Sequence, residues 1–416
     1  MDYSNEARNV IVGQSGGPTA VINASLAGVY QTALKAGFHK VYGMRYGIEG
    51  LLKEQVLDLS EVFKTDMDIE LLKRTPSSLL GSCRYKLPEA EKGNEIYEKI
   101  FEILNRLNIS AFFYIGGNDS MDTIGKLSDY GKLTGSEICF IGVPKTIDND
   151  LAITDHTPGY GSVAKYLATI TKEIIADTGV YDMKSIVVLE IMGRNTGWLT
   201  GATALAKGED CPGVDLIYLP EAEFSMEKVK ITVEALLKKK NTIVIAISEG
   251  VTDSSGEAFY SDLLSQTAGV DAFGHMILSG AGEHLATYLG KALHCKTRFI
   301  ELSTLQRCGA HIVSRTDVEE AYQVGGAAVK AAFEGHTGCM IVLRRFSQEP
   351  YMCVSDVADI HDVANIEKKV PRHWINKEGN YVNQEFIDYA RPLIQEELTP
   401  IMVNGLPAHF TLPEGM

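Results

Sequence analysis

The chain of 416 residues alternates short apolar, β-branched segments with longer segments of helical periodicity. This alternation predicts repeated strand–helix units, and therefore parallel sheets that are covered by helices on both faces. The predicted strands are residues 9–13, 111–115, 138–143, 186–191, 214–219, 242–247, 297–302 and 339–343. The predicted helices are one ending at residue 35, 94–107, one after Gly117, 162–176, 196–206, 225–239, 275–292 and 317–333.

These strands are more numerous than one simple nucleotide-binding sheet would need. We therefore expect an α/β fold with two doubly wound, mostly parallel sheet domains that face a cleft, plus a C-terminal extension. The expected boundaries are 1–160 for the N-terminal domain, to which 305–355 returns, 161–304 for the second domain and 356–416 for the extension. We expect the extension to be folded because its aromatic residues Trp374, Phe386 and Tyr389 need burial.

The net charge of −15 argues against nonspecific binding to nucleic acid or to an anionic membrane, although a local cluster of Lys and Arg can still bind an anionic substrate. The seven cysteines are scattered and form no C-x-x-C pair, which favours reduced thiols over a disulfide framework or a zinc site. The polar, acidic N-terminus is unlike a signal peptide, and no apolar run approaches the ~18 residues of a membrane span. The expected location is the cytoplasm.

The segment 144–150, with the sequence PKTIDND, follows a predicted buried strand. A parallel strand delivers its C-terminal end to the ligand crevice of an α/β sheet, so a lysine, a hydroxyl and two carboxylates arrive at one rim. This set suits proton abstraction from an alcohol beside a polyphosphate, with Asp148 accepting the proton and Lys145 neutralising a transferring phosphoryl group. The alternative interpretation is an ordinary turn, in which Pro, Asn and Asp serve turn geometry and helix capping.

Two Gly-Gly turns, Gly16-Gly17 and Gly116-Gly117, each stand between a predicted strand and the helix that it opens. Glycine there lets a phosphate approach backbone amides at a helix N-terminus, and two such turns predict a polyphosphate cradle. Each turn alone can equally be structural, since neither is a G-x-G-x-x-G or a Walker loop. Asp119 follows the second turn, where a carboxylate either caps the helix or excludes a longer polyphosphate by its own charge.

Other polar residues also stand at predicted strand ends. A carboxylate at Glu249 can accept hydrogen bonds from sugar hydroxyls, and an arginine can hold a phosphate or carboxylate. A single arginine is more often a surface residue, but four arginines beside strand ends and glycine turns favour anion binding. These arginines are Arg84, Arg194, Arg298 and Arg307, the last two of which flank one predicted strand end.

Together these segments resemble the phosphofructokinase family, and specifically its pyrophosphate-dependent branch. The matching motifs extend from Gly16 to Arg307 in one order; PKTIDND and the MGR at 192–194 are specific, whereas the glycine turns are not. The resemblance implies glycolytic transfer of a phosphoryl group from pyrophosphate to the 1-hydroxyl of fructose 6-phosphate. It implies that this reaction is reversible and needs Mg²⁺. It also implies a homodimer or homotetramer, with the donor bound by residues 1–160 and the sugar phosphate by 161–304.

The resemblance carries roles to individual residues. Asp148 corresponds to the catalytic base, and the other catalytic positions are Lys145, Asp119 and Arg194. The donor-binding positions are Gly16, Gly17, Arg84, Gly117, Asn118 and Ser120. The sugar-binding positions are Thr146, Ile147, Asp148, Met192, Gly193, Arg194, Glu249, Arg298 and Arg307, with Arg298 reaching from a neighbouring subunit. The metal positions are Asn118 and Asp150.

Two positions indicate the donor. ATP-dependent members of the family usually have glycine where this chain has Asp119 and Lys145, so the resemblance favours pyrophosphate. The chain departs from the family pattern at Asn118, which replaces an acidic residue, at Ser185, which replaces an arginine, and at Thr304, which replaces a histidine. The arginines that bind an allosteric nucleotide in bacterial members are replaced as well, by Ala27 and Gln31, so we expect no nucleotide effector at that position.

Three other functions are open at this point. The first is an ATP-dependent phosphofructokinase, and the second is a non-catalytic regulatory subunit that binds a sugar phosphate, which Asn118 slightly supports. The intact Thr146, Asp148 and Asp150 argue against a regulatory subunit, because pure binding needs no base. The third is a generic α/β protein with structural glycine turns, which leaves the coincidence of lysine, carboxylates and arginines unexplained.

Overall fold

The computed structural model describes residues 8–260 and 280–413. The strands are β1 (Asn9–Gln14), β2 (Val41–Met44), β3 (Val56–Asp58), β4 (Ile109–Gly116), β5 (Cys139–Pro144), β6 (Ser185–Ile191), β7 (Leu216–Tyr218), β8 (Thr242–Ser248), β9 (Lys296–Glu301), β10 (Cys339–Gln348), β11 (Tyr351–Asp359), β12 (Met402–Val403) and β13 (Leu406–Pro407).

The α-helices are α1 (Ile22–Lys35), α2 (Gly47–Leu52), α3 (Leu59–Val62), α4 (Asp66–Arg74), α5 (Ala90–Arg106), α6 (Asn118–Thr134), α7 (Tyr160–Thr178), α8 (Trp198–Ala202), α9 (Met226–Leu236), α10 (Ala281–Leu293), α11 (Leu305–Cys308), α12 (Arg315–Phe333) and α13 (Gln384–Ala390). Short 3-10 helices span Thr203–Ala206, Ala310–Ile312, Ile360–Asp362, Arg372–Trp374 and Arg391–Ile394. No helix in the described ranges has the length and apolar content needed to cross a membrane.

The first sheet has seven strands in the order β11-β10-β5-β4-β1-β2-β3. Its central strands, from β10 to β2, run parallel, whereas β3 and β11 pair antiparallel at the two edges. The chain proceeds from β1 to β2 on one side and from β4 to β5 on the other, so the strand order reverses between β1 and β4. Such a reversal opens a ligand crevice at the carboxyl ends of the strands.

The second sheet consists of four parallel strands in the order β7-β8-β6-β9. Strands β6 and β8 are buried along almost their whole length, which explains why their sequences are continuous apolar runs instead of alternating ones. Strand β9 forms an edge and is mostly exposed. The α/β class with two mostly parallel sheets is thus confirmed.

All eight strands predicted from the sequence are present, as β1 and β4 to β10. The predicted helices are also present, although 196–206 divides into α8 and a 3-10 helix, and residues 275–279 of the predicted helix 275–292 lie outside the described residues. The expectation that Gly16-Gly17 opens the first helix is wrong, because α1 begins at Ile22 after an irregular segment. The domain boundaries stay a prediction, and β11 crosses the one placed at residue 355.

The C-terminal extension is folded, as expected from its aromatic residues. Phe386 and Tyr389 are buried and Trp374 is partly buried. They pack around Trp198, whose ring centroid lies 5.1 Å from that of Tyr389 and 5.9 Å from that of Phe386. The extension therefore completes the hydrophobic core below the second sheet, since these side chains share one buried cluster with β6 and β8.

Helices α1 and α12 approach each other backbone to backbone, and we expect a methyl group there to destabilise the protein. A Cβ at Gly28 would lie 2.1 Å from the Tyr322 carbonyl oxygen. Gly28→Ala should therefore lower the free energy of unfolding in urea by about 1–3 kcal/mol, the usual range for overpacking.

The matched control is Gly125→Ala on helix α6, where the nearest atom to an added Cβ is 3.6 Å away. Alanine is the better helix former by about 1 kcal/mol, so this variant should be as stable as the parent or more stable. Equal stability changes in the two variants would contradict the close helix contact.

Candidate functional site

Three loops meet at the carboxyl ends of β1, β4 and β5, and Lys145 joins them. Its backbone N–H donates to the Gly116 carbonyl at 3.0 Å, and its Nζ donates to the Gly17 carbonyl at 2.7 Å. The loops after β1 and β4 stand on either side of the strand-order reversal, where a crevice is expected. The structure thus brings both glycine turns and the PKTIDND segment to one place.

Positive charge is concentrated at the first glycine turn. Lys145 is 2% exposed, and burial lowers its pKa to about 8, with further lowering by Arg307 and Arg84. Arg307 reaches the same turn from the short helix α11, which follows β9, since a Cβ at Gly17 would lie 3.3 Å from its Nη1. Burial and the neighbouring Arg84 also lower the pKa of Arg307. The charges of Lys145, Arg307 and Arg84 repel one another, so a bound anion would stabilise the protein at this turn.

The carboxylate of Asp148 stands beside these cations, at the junction of the two sheets. Burial and the charge of Asp150 raise its pKa to about 7, while the charge of Lys145 opposes this rise. Its backbone N–H donates to Thr146 Oγ1 at 3.1 Å, and Thr196 Oγ1 donates to its carbonyl at 3.0 Å. Because Thr196 belongs to the loop after β6, the Asp148 turn is fixed by both sheets.

Asn118 and Asp150 form a pair with unused oxygen atoms. Asn118 Nδ2 donates to Asp150 Oδ2 at 3.3 Å. Among the described residues, Asn118 Oδ1 and Asp150 Oδ1 are buried without a hydrogen-bond partner. Burial raises the pKa of Asp150, and a cation would favour its charged form. Amide and carboxylate oxygens are ligands that Mg²⁺ accepts, so this pair fits the metal that the resemblance implies.

Helix α6 begins at Asn118 with Gly117 as its N-cap, and no described side chain forms a cap hydrogen bond there. Asp119 is therefore a half-buried carboxylate in the first turn and not a capping residue. Ser120 is buried, and its Oγ would lie 1.9 Å from a Cβ at Gly116. Local packing thus requires glycine at position 116, whereas a Cβ at Gly117 would lie no closer than 3.6 Å to its nearest neighbour. The turn leaves the Asp119 charge at the start of the helix.

The loops after β6 and β8 form the opposite wall of the site. The Gly193 N–H donates to Glu249 Oε1 at 3.2 Å, and Gly193 has a φ of 137°, with Thr196 O 2.6 Å from an added Cβ. Burial raises the pKa of Glu249 to about 7, and the charge of Asp148 adds to this rise. Arg194 acts in the opposite direction on the pKa of both carboxyl groups, so its guanidinium lies near each of them. Met192, which precedes this turn, is partly buried.

Two predicted site residues, Arg298 and Ile147, do not present their side chains to the site within a single chain. Arg298 lies within β9 opposite Val187, about 10 Å before the end of β9 at Glu301 at the usual rise per residue, so the expectation that it flanks a strand end is wrong. It pairs with Asp177 at 3.5 Å and is 51% exposed. Ile147 is buried in the core, which leaves only its backbone for a ligand. Arg84 is an exposed loop residue whose charge reaches Lys145.

The extension contributes residues that the sequence patterns do not indicate. The Lys368 backbone N–H donates to the Asp150 carbonyl at 2.7 Å. Glu367 accepts a hydrogen bond from Asn195 Nδ2 at 2.6 Å, and its charge raises the pKa of Asp150. Neither residue belongs to a motif or follows one of the strands that form the site, so no signal in the sequence identifies them.

The raised pKa of Asp148 predicts a stability change that depends on pH. The carboxyl group has a pKa of about 7 in the folded protein and of about 3.9 in an unfolded chain, so the folded state binds the proton more tightly. Ionisation therefore destabilises the fold progressively between these two values and fully above the higher one. We expect Asp148→Asn to raise the midpoint of thermal unfolding more at pH 8 than at pH 5.

Asp362→Asn, at an exposed carboxylate, is the control and should show no such difference. If Asp148→Asn changed the midpoint equally at both pH values, ionisation of the buried Asp148 carboxyl group would not destabilise the fold.

Comparisons with known proteins agree with this geometry. A relative from Halomonas elongata, named pyrophosphate–fructose 6-phosphate 1-phosphotransferase, is 41% identical over 404 residues, which cover 96% of this chain and 94% of the relative. A relative from Alkalicoccus urumqiensis, named sulfofructose kinase, is 32% identical over 378 residues, which cover 88% of this chain and 94% of the relative.

Solved structures give the same result. The crystal structure described as pyrophosphate-dependent phosphofructokinase from Nitrosospira multiformis has a TM-score of 0.88 and 36% sequence identity, covering 98% of this chain and 97% of that chain. Residues 9–332 match the family described as PFK, phosphofructokinase. The chain therefore belongs to the phosphofructokinase family.

Proposed function

We propose that this chain transfers a phosphoryl group from pyrophosphate to the 1-hydroxyl of fructose 6-phosphate, giving fructose 1,6-bisphosphate and phosphate, reversibly and as a step of glycolysis. The observation that carries the proposal is the group of cations at Gly16-Gly17 beside the Asp148 carboxylate. Cations suit a polyphosphate, and a carboxyl group with a pKa of about 7 suits a general base at neutral pH. The names of the relatives support the same reaction.

In this mechanism Asp148 accepts the proton of the 1-hydroxyl, and the oxygen attacks the nearer phosphorus of pyrophosphate in line. Lys145, Arg84 and the amides of the glycine turns stabilise the equatorial and leaving oxygens. Lys145 is suited to this role because its position is fixed by two hydrogen bonds, to Gly17 and Gly116, before the donor binds.

The sugar phosphate lies, in this proposal, against the loops of the second sheet. Arg194 and Arg307 bind its anionic end, and Thr146, Met192, Gly193 and Glu249 contact the sugar. Arg298 reaches the site of a neighbouring subunit, so the proposed assembly is a homodimer or homotetramer. Support for this assembly is the exposed edge strand β9, which carries Phe299 at 43% exposure. Tyr181, at 62% exposure, lies beside the same strand, because Lys296 Nζ is 5.7 Å from the centre of its ring.

We further propose Mg²⁺ as the cofactor, held by Asn118 and Asp150. Bound there, the metal would supply positive charge that offsets the negative charge of pyrophosphate. The free oxygen atoms of the two side chains support this assignment. The proposed location is the cytoplasm, where reducing conditions suit the seven free thiols.

Replacing the proposed base should remove catalysis and keep binding. Asp148→Ala is expected to lower kcat by about 10²–10⁴-fold, the usual contribution of a general base, while fructose 6-phosphate still binds. Steady-state rates with pyrophosphate, with and without Mg²⁺, and calorimetric titration of the sugar phosphate measure the two effects. Asp388→Ala, at an exposed residue of the extension, is the control. An active Asp148→Ala variant would refute the assignment of the base.

The charge at Asp119 should decide which donor is accepted. Asp119→Gly removes a carboxylate from the position where, in this proposal, a nucleotide would place its α-phosphate, so ATP should now bind. We expect ATP to inhibit pyrophosphate turnover competitively in this variant and not in the parent. Good turnover with ATP is not required, because Lys145 remains.

Asp129→Gly, farther along the same helix, controls for the effect of a glycine on α6. If ATP fails to bind the Asp119→Gly variant, the proposed exclusion by Asp119 is incorrect.

Rates measured for the parent with ATP as donor test the ATP-dependent alternative, and turnover by the purified chain alone excludes a regulatory subunit. The acceptor series should include sulfofructose, because one relative is named sulfofructose kinase.

A further inference from the structure

Lys368 of the C-terminal extension reaches beneath the turn that carries the proposed base. Its Nζ donates to the carbonyl oxygens of Asp155 at 2.7 Å and Thr154 at 3.1 Å, and lies 3.4 Å from Asn149 Oδ1. Its backbone N–H donates to the Asp150 carbonyl at 2.7 Å. One residue of the extension is thus bonded to both arms of the loop 149–155.

Asn149 stands between the two carboxylates and is fully buried. It has a φ of 54°, in the left-handed region, so its backbone is held in a strained conformation by its surroundings. Its Nδ2 donates to Tyr389 Oη at 2.7 Å, and its Oδ1 accepts the Thr157 N–H at 3.0 Å. Two of the side chains around this residue, Lys368 and Tyr389, therefore come from the extension.

The three oxygen atoms near Lys368 Nζ belong to neutral groups. Lys368 Nζ has no ion pair among the described residues, and besides these oxygens it lies 5.4 Å from the centre of the Trp198 ring. Burial of such an ammonium group is costly, and an apolar side chain of similar length would fill the same space. Packing alone therefore does not explain a lysine at this position. Its three donors, in contrast, can fix several carbonyl and amide oxygens of one loop at the same time.

We propose that Lys368 is a positioning residue for phosphoryl transfer: by holding Asn149 and the following loop, it orients the carboxylates of Asp148 and Asp150. The inference rests on the proposed function, since it assigns Lys368 to the same site. In this proposal Lys368 itself touches neither substrate. Displacement of a reacting group by ~1 Å can lower a rate by ~10²-fold, so a loose turn would affect chemistry more than binding.

Lys368→Met keeps the length of the side chain and removes its donors, and the neighbouring exposed residue provides the control, Lys369→Met. We expect Lys368→Met to lower kcat with pyrophosphate by roughly 10–100-fold, with KM for both substrates changed less than about threefold. Lys369→Met should match the parent. A kcat for Lys368→Met within about threefold of the parent, or a change confined to KM, would overturn the inference.

Tyr389→Phe tests the anchoring of the same loop if Lys368→Met fails to fold, because it removes only the hydroxyl that accepts from Asn149 Nδ2 and donates to the Asp155 carbonyl. It should lower kcat without raising KM, and an unchanged kcat would overturn the inference. In the double variant the two losses should not multiply, since both act through Asn149. A fold loss of kcat in the double variant that equals the product of the two single losses would refute this shared route.

The outcomes also separate this inference from the proposed function. If the parent turns over pyrophosphate and Asp148→Ala does not, an active Lys368→Met variant refutes the positioning role alone. If the parent has no turnover with pyrophosphate and fructose 6-phosphate, the proposed function is refuted, and the role of Lys368 with it.

Discussion

Burial of charge in the turn from Lys145 to Asp150 is the constraint on which the rest of the site depends. Removal from water lowers the pKa of Lys145 to about 8 and raises that of Asp148 to about 7. Both shifts arise because the turn is buried between the carboxyl ends of strands from two mostly parallel sheets. The fold therefore places a carboxyl group that titrates near neutral pH next to a buried cation. In the function that we propose, the first accepts a proton and the second neutralises a phosphoryl group.

The charge of the whole chain and the charge of the site have opposite signs. A net charge of −15 would repel a polyphosphate at a distance, yet Lys145, Arg84 and Arg307 converge on one glycine turn. In the function that we propose, short-range contacts decide donor binding, because salt screens charges that are farther apart than about 8 Å at physiological ionic strength. Asp119 then restricts the same region to a short donor, in the function that we propose.

Much of the fold was predictable because buried parallel strands are continuous apolar runs. Strands β5, β6 and β8 are examples, and each is followed by residues of the site. The edge strands were harder to predict. Strand β3 has three residues, and β11 alternates between partly buried and exposed positions within the predicted extension. The start of α1 was misplaced because the glycine turn and the helix are separated by an irregular segment.

The sequence by itself determined which residue types follow each strand, and the order of the motifs identified the base, the lysine and the glycine turns as candidates. Only the tertiary structure decided which of them meet. It brings Arg307 to Gly17, leaves Arg298 on an exposed edge and places Lys368 under Asn149. The physical reason is that periodicity reports the environment along one element, whereas pKa values and hydrogen bonds depend on neighbours that are distant in the chain.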